Sequence, residues 1–399
     1  AEGPAVEHAG RLSAEKGEVL LASGDMLGMS ILQSGIIEGQ SAKLEAEGSG
    51  DVFVEDGQIE VTESAKILGN RVGLFGDSNI SAGTDTSGGT VLIGGDQQGL
   101  NAAVRNAIAV HLGADTTVSA DAKISGSGGR VIVFAEETAI VLGTITARGA
   151  GDGSGGFIET SGWEHLVIGR SPITGPDGEW LIDPNNIEII AGSVNNNINA
   201  ADPFESTGNG AQLGVDLITG ALTGGTTVSV TTGNGGADSE DGDITLSTPL
   251  DFDGTGSNTL TFNAANDITI NDTISDGTPG GDSLNLVLNA DTTTSGAGGT
   301  TINGAINLEG GDLTATGQDF TLSSTLDANT LDLSGIDTQS SINTGNVNLA
   351  SFVGNGSDNL LGTAAGETVT LNGANQGDFA GIAFTGVGSV DTDAGTDSV

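Results

Sequence analysis

The chain of 399 residues contains 68 glycines and no cysteine, only 3% of its residues are aromatic, and its formal net charge is −43. The missing cysteines exclude disulfides and thiolate metal sites. All ten lysines and arginines lie at or before Arg170, so residues 171–399 are purely acidic, which argues against a nucleic-acid-binding face. No apolar run approaches the roughly 18 residues of a membrane span, so we expect no membrane insertion.

Residues 1–190 form the first predicted block, in which short β-forming runs alternate with turns rich in Gly, Ser, Asp and Asn. Several runs are apolar on consecutive residues, as in Val131–Phe134, which is typical of strands covered on both faces. The predicted strands are Glu18–Ala22, Asp51–Glu55, Gln58–Thr62, Val72–Phe75, Thr90–Ile93, Arg130–Phe134, Ala139–Leu142, Phe157–Glu159 and Glu179–Ile182.

A glycine recurs two places before an apolar residue in this block, as in Gly50-Asp51-Val52 and Gly129-Arg130-Val131. The pattern predicts that the apolar residues 52, 72, 91, 131, 157 and 180 hold equivalent places in successive coils, with the interval from 91 to 131 counted as two coils. A repeat of about 20 residues cannot bury its own apolar face and must stack on its neighbours. We therefore predict an all-β solenoid, an elongated rod of the kind that serves as a scaffold or adhesive surface more often than as an enzyme.

Residues 191–241 interrupt the rhythm and are predicted to be an irregular junction. Residues 212–222 are its best helix candidate, since Leu213, Leu217 and Leu222 stand near helical spacing. A strand is predicted to follow at Thr226–Thr232.

Residues 242–399 form a second acidic solenoid block with stricter alternation of apolar and polar residues, as in Leu284, Leu286 and Leu288. Period two predicts one buried and one wet face. Asn and Thr residues on the wet face can form ladders along the stack.

Two acidic patterns suggest calcium, because carboxylates are the hard oxygen ligands that this ion prefers. One is a cluster in a Gly-rich loop, and the other consists of two half-copies of a calcium-binding nonapeptide; a solvated, self-repelling loop is the alternative for the first pattern. The candidate ligands are Asp238, Glu240, Asp241, Asp243, Asp358 and Asp397. We predict no other cofactor.

Nothing in the sequence forms a catalytic motif, and the histidines at 8, 111 and 165 are far apart. Arg130 and Arg148 lie near Glu159 and other acids and could line one face, but surface ion pairs explain them equally well. We therefore predict that the chain is not an enzyme. Trp163 and Trp180 are candidates for carbohydrate contact, the alternative being that one lies in the core and the other is partly exposed.

Residues 69–95 (GNRVGLFGDSNISAGTDTSGGTVLIGG), Gly128–Gly162 and the segment from Trp180 to Ile187 resemble the large filamentous-haemagglutinin-like exoproteins of two-partner secretion. The resemblance rests on motifs in roughly residues 10–190. In the remainder it rests only on the general character of the sequence. It implies a right-handed parallel β-helix, secretion through an outer-membrane partner transporter, and a location outside the cell or on the bacterial surface. The secretion domain of the family does not precede these motifs, so we expect an interior fragment of a longer protein.

The favoured function is a segment of a secreted bacterial adhesin that binds host or environmental glycans or proteins through many weak sites along an extended face. One alternative is a purely structural extracellular fibre that self-associates. The second is a β-helical polysaccharide lyase or glycosidase.

Overall fold

The computed structural model describes residues 4–24, 28–183, 186–193, 211–232, 241–254, 256–276, 282–294, 296–363 and 367–392. Strands predominate in these residues, which confirms the all-β class. The chain divides into two compact units, one formed mainly by the residues up to Ile187 and by Gly192–Val228, the other mainly by the residues from 240 onward.

The strands are named in chain order. The first nineteen are β1 (Val6–His8), β2 (Arg11–Ser23), β3 (Gly28–Gln33), β4 (Ile36–Ala46), β5 (Gly50–Glu55), β6 (Gln58–Leu68), β7 (Arg71–Phe75), β8 (Asn79–Ala82), β9 (Thr90–Ile93), β10 (Ala107–Leu112), β11 (Thr117–Ser119), β12 (Arg130–Val141), β13 (Thr144–Thr146), β14 (Phe157–Gly162), β15 (His165–Ile168), β16 (Gly178–Ile182), β17 (Ile187–Ile190), β18 (Ala211–Gly214) and β19 (Thr226–Thr231). The others are β20 (Ile244–Leu246), β21 (Leu250–Phe252), β22 (Ser257–Asn263), β23 (Ile268–Ile270), β24 (Ile274–Asp276), β25 (Ser283–Asn289), β26 (Gly299–Ile302), β27 (Ile306–Asn307), β28 (Leu313–Gly317), β29 (Asp319–Leu322), β30 (Leu326–Ile336), β31 (Ser341–Asn343), β32 (Val347–Leu361), β33 (Val369–Gly373), β34 (Gln376–Phe379) and β35 (Ile382–Asp391).

Three ladders of parallel strands build the first unit. One runs through β1, β3, β5, β7, β10, the end of β12 and β15. A second joins the first halves of β2, β4 and β6 to β8, β11 and β13. The third joins the second halves of the same three strands to β9, the start of β12, β14 and β16. The chain thus adds one strand to each ladder in turn and returns to the first.

The predicted series of equivalent apolar positions is wrong in three respects. Val52 and Val72 are paired in the first ladder, whereas Val91 belongs to the third, so the series mixes two ladders. Val91 also pairs directly with Val131, so the interval between them is one step and not two. The alignment then continues to Ile158 and not to its neighbour at 157.

The long interval between Val91 and Val131 accommodates an extra segment, residues 94–106, which leaves the sheet after β9. Beside it the outer face of the third ladder is apolar, with Leu92, Ile132 and Phe134 buried and Val104, Phe157 and Trp163 packed against them. This covering explains why Val131–Phe134 is apolar at every residue, since all four side chains have no exposed surface. A strand covered on both faces was the prediction for this run, and it is confirmed.

Close backbone approach explains the recurrent glycine of this ladder. A Cβ atom on Gly129 would lie 2.0 Å from the carbonyl oxygen of Gly89, and one on Gly156 would lie 2.1 Å from that of Gly129. No side chain fits between the strands at these points, so the sequence pattern marks a contact that only glycine allows.

One short helix, α1 (Val215–Thr223), lies in the predicted junction. It starts later than predicted because Gln212–Gly214 belong to β18, and it ends at Thr223, with Gly224 as its C-cap. Leu217 and Leu222 are buried, as their spacing predicts. The described residues contain no helix with the length and hydropathy that a bilayer crossing requires.

Parallel ladders also build the second unit. One includes β20, β23, β26 and β29, another includes β21, β24, β27 and the starts of β30 and β32, and a third includes β22, β25, β28, the later part of β30, β32 and β35. The hairpin β33–β34 pairs antiparallel with β35. The predicted alternation is confirmed by inward residues with no exposed surface, among them Leu260, Leu284, Leu286 and Leu331.

Candidate binding face

Four threonines form a single column on the outer face of the second unit. Thr245, Thr269, Thr301 and Thr321 are paired in register on β20, β23, β26 and β29. The alternation of each strand directs its neighbours inward, and the threonines are half-buried except for the exposed Thr321. Adjacent strands lie about 4.8 Å apart, so the column presents hydroxyl groups at a regular short repeat.

Polar side chains on both sides fix the strands of this column to one another. Asp243 accepts hydrogen bonds from the Asn266 side chain (2.8 Å) and from the Asp267 amide (3.1 Å). On the other side the Asn303 side chain donates to Oδ1 of Asn271 (3.0 Å). These bonds link successive strands of the ladder and hold the threonine column in a constant geometry.

An asparagine ladder crosses the neighbouring face on β22, β25 and β28. Asn289 donates to Oδ1 of Asn263 (2.8 Å), and Thr316 donates to Oδ1 of Asn289 (2.8 Å). Asn263 in turn donates to the hydroxyl of Thr231 (3.2 Å). The ladders predicted for the wet face therefore exist, and the side-chain amides of their asparagines hydrogen-bond mainly to other members of the ladder.

Of the six predicted calcium ligands, Asp241, Asp243 and Asp358 lie within the described residues, and no metal-binding group there includes them. Asp238, Glu240 and Asp397 lie outside the described residues, and Asp241 is exposed. Asp358 is buried, and its carboxylate accepts the amides of Ser340 (2.7 Å) and Asn355 (2.7 Å). No three acidic or histidine residues among those described are placed to hold a metal ion.

The two tryptophans differ in exposure. Trp180 has no exposed surface and donates through Nε1 to the hydroxyl of Thr160 (2.9 Å), so the prediction of carbohydrate contact is wrong for this residue, which stacks inside the third ladder. Trp163 is half-buried and packs edge-on against Phe134, with ring centroids 5.3 Å apart. One core and one partly exposed tryptophan was the alternative interpretation.

Two buried carboxyl groups lie beneath the extra segment, on the outer face of the third ladder. Glu159 stands in register with Ile132 and Leu181 and has no exposed surface. Oε1 of Glu159 accepts a hydrogen bond from the backbone amide of Gln98 (2.9 Å). Oε2 of Glu159 and Oδ1 of Asp183 have no hydrogen-bond partner among the described residues.

Burial governs the ionisation of this pair. Burial, with a smaller contribution from Asp183, raises the pKa of Glu159 to about 8. Burial raises the pKa of Asp183 to about 7, although the Gln98 side chain partly opposes the shift. Carboxyls with such pKa values are candidates for acid–base chemistry, but neither has enough exposed surface for a substrate to reach it.

The two arginines that the sequence placed near Glu159 on one face, Arg130 and Arg148, each pair with a different aspartate. Arg130 pairs with Asp96 (3.3 Å) and donates to Oε1 of Gln97 (2.8 Å), so it anchors the extra segment. Arg148 lies 4.0 Å from Asp121. Sequence reasoning named Glu159 but missed Asp183 as its partner, since only the register of β14 and β16 brings the two positions together.

The half-buried threonine column of the second unit, exposed at Thr321, is therefore the best candidate for a binding surface, and the buried carboxyl pair shows the largest pKa shifts among the described residues. No protein-family model matches the chain, and no curated protein matches it.

Proposed function

We propose that the chain is a segment of a secreted bacterial adhesin in which each unit winds as a right-handed parallel β-helix. The three ladders of each unit, visited in turn, support the winding, and right-handed connections between parallel strands are the strong rule in sheets. Export through an outer-membrane two-partner transporter and display at the cell surface belong to the same proposal and rest on the resemblance of residues 10–190.

The threonine column carries the proposed binding role. Each hydroxyl contributes only about 0.5–1.5 kcal/mol as a net hydrogen bond, but the in-register repeat of four lets one extended ligand meet several of them at once. The acidic charge of residues 171–399 repels anionic ligands, so the ligands that fit are neutral, hydroxyl-rich glycans.

We expect the column to act as one multivalent site. Changing all four threonines to valine should weaken binding to an immobilised neutral glycan by about thirtyfold or more, whereas Thr269→Val alone should weaken it by about two- to thirteenfold. Surface plasmon resonance on the best glycan of an array measures both.

Thr259→Val is the matched control, because Thr259 is a half-buried outward threonine on β22, outside the column. Equal binding by the fourfold variant and the wild type would contradict the proposed face. Absence of binding to every glycan, together with filament formation by the wild type, would favour the structural-fibre alternative.

A further inference from the structure

The extra segment, residues 94–106, is a loop whose two ends meet. The backbone amide of Ala107 donates to the carbonyl oxygen of Gly94 (2.5 Å), so the chain leaves the sheet and returns to it at one place. Gly94 has a φ of +80°, a conformation that favours glycine. A compact surface loop with adjacent ends can lift while the sheet beneath it keeps its pairing.

One residue of the extra segment meets both buried carboxyl groups. The backbone amide of Gln98 donates to Oε1 of Glu159 (2.9 Å). The Gln98 side chain interacts with Asp183 and opposes the rise in the pKa of that carboxyl. Gln98 has a φ of +53°, which is unfavourable for a residue with a Cβ atom and persists only where surrounding contacts hold it. Gln98 is therefore a strained latch, and the carboxyl pair is part of what holds it.

The extra segment also separates the pair from water. Glu159 lies at an outward position of β14, yet it has no exposed surface. Gln98 covers it, and Val104 of the same segment packs against the apolar cluster beside it. Oε2 of Glu159 and Oδ1 of Asp183 have no hydrogen-bond partner among the described residues. A negative charge on either group therefore requires water to enter, and water can enter only where the cover lifts.

Charged groups on the neighbouring strands do not neutralise the pair. Arg130 partly opposes the rise in the pKa of Glu159, but its guanidinium is paired with Asp96 (3.3 Å). Lys66 stands in the same column as Glu159 but three strands away. The other charged groups on this face are acids, Glu136 on β12 and Glu179 on β16.

We propose that the extra segment is a pH-operated flap, which is closed while Glu159 and Asp183 are protonated and is released when they ionise. Release hydrates the two carboxylates and relieves the strained conformation of Gln98. It also uncovers the apolar outer face of the third ladder at Leu92, Ile132 and Phe134, which are buried in the closed form.

The direction of the switch follows from linkage. Burial under the closed flap raises the pKa of Glu159 to about 8 and that of Asp183 to about 7. Because the closed form disfavours ionisation, ionisation must in turn disfavour the closed form. Between the ordinary and the raised pKa of each group, every pH unit shifts the balance up to tenfold toward opening. The flap should therefore stay closed in acid, open progressively as the pH rises toward 8, and respond no further above it.

Trypsin can measure the opening, because Arg105 is the only lysine or arginine in residues 94–106. In the closed form Arg105 is held by a hydrogen bond to the carbonyl oxygen of Ala46 (2.7 Å). Mass spectrometry follows cleavage after Arg105 relative to cleavage after the exposed Arg170, which cancels the pH dependence of trypsin itself. This ratio should rise at least tenfold from pH 6.5 to pH 8.5, with an unchanged far-ultraviolet circular dichroism spectrum.

Three variants complete the test. In Glu159→Gln the ratio should rise by about threefold at most, the part that Asp183 still contributes. Glu136→Gln is the matched control, since Glu136 is only half-buried and also contacts the segment, through the Asn106 side chain (3.3 Å); it should keep the full rise. Gln98→Pro lacks the amide and cannot adopt a positive φ, so it should be cut at pH 6.5 as fast as the wild type at pH 8.5.

Four results would each overturn the flap. They are a constant ratio in the wild type, an undiminished rise in Glu159→Gln, slow cleavage of Gln98→Pro at pH 6.5, and a loss of the circular dichroism signal that accompanies the rise. The last would mean that the whole unit unfolds and that the extra segment does not open by itself.

Discussion

Glu159→Gln is expected to stabilise the first unit strongly at pH 8.5 and to leave its stability nearly unchanged at pH 4. The glutamine keeps the shape of the side chain and an Oε1 atom that can accept the Gln98 amide (2.9 Å in the wild type). It removes the charge that Glu159, with no exposed surface, carries at high pH.

The direction follows from proton linkage. Folding raises the pKa of Glu159 from 4.5 to about 8, so between these values the folded chain holds a proton that the unfolded chain has released. The free energy of unfolding of the wild type therefore falls as pH rises across this window, by up to about 1.4 kcal/mol per pH unit. It is flat below pH 4, where both states are protonated, and flat again above pH 8. Asp183, whose pKa is raised to about 7, adds a similar loss that ends one unit lower.

Urea unfolding at half-unit steps from pH 4 to pH 9 measures the difference. The two curves should coincide near pH 4 and diverge steadily until about pH 8. Glu137→Gln provides the control, because Glu137 is an exposed glutamate on β12 and its replacement should give an offset without this slope. Parallel curves for Glu159→Gln and the wild type would refute the buried, protonated state of Glu159.

The strands of the first unit were predictable because each carries a local signal. The predicted strand Thr90–Ile93 matches β9 to the residue, and Glu179–Ile182 falls one residue short of β16. Register was not predictable in the same way: Val72 and Val91 have the same local surroundings, a turn before and apolar residues after. Only pairing across the ladders, which depends on contacts 20 to 40 residues away, assigns them to different columns.

The buried carboxyl pair shows the same limit. Glu159 sits at an outward position of its strand, where sequence alone predicts contact with water. It is buried because residues 94–106 fold over the ladder, and the amide that meets it comes from Gln98, 61 residues earlier. The sequence signal for this burial is that Glu159 is a polar residue paired with two apolar residues, Ile132 and Leu181. That signal becomes visible only when the register of the strands is known.

In the second unit, the sequence predicted which apolar residues point inward better than it predicted the surroundings of the polar residues. Period-two alternation placed the inward leucines correctly, and the same alternation left threonines and asparagines outside. The buried Asp276 breaks this rule, because the sequence Ile274-Ser275-Asp276 looks like an ordinary strand end.

Gly129→Ala is expected to be the most damaging single-methyl change in the third ladder. The added Cβ atom would lie 2.0 Å from the carbonyl oxygen of Gly89 and 2.6 Å from its amide nitrogen. Both atoms belong to backbone, so relief requires β9 and the start of β12 to separate, and these strands carry Val91 and Val131 with no exposed surface. We expect a loss of about 3 kcal/mol or more in the unfolding free energy, comparable to a large core truncation.

Gly17→Ala is the matched substitution, since its Cβ would meet only the Ala14 side chain at 3.8 Å, an ordinary contact. It should change stability by less than about 1 kcal/mol and in the favourable direction, because alanine restricts the unfolded chain. Urea titration followed by circular dichroism separates the two variants. If Gly129→Ala unfolded at the urea concentration of the wild type, the tight approach of successive strands could not be the reason that glycine recurs before each apolar position of this ladder.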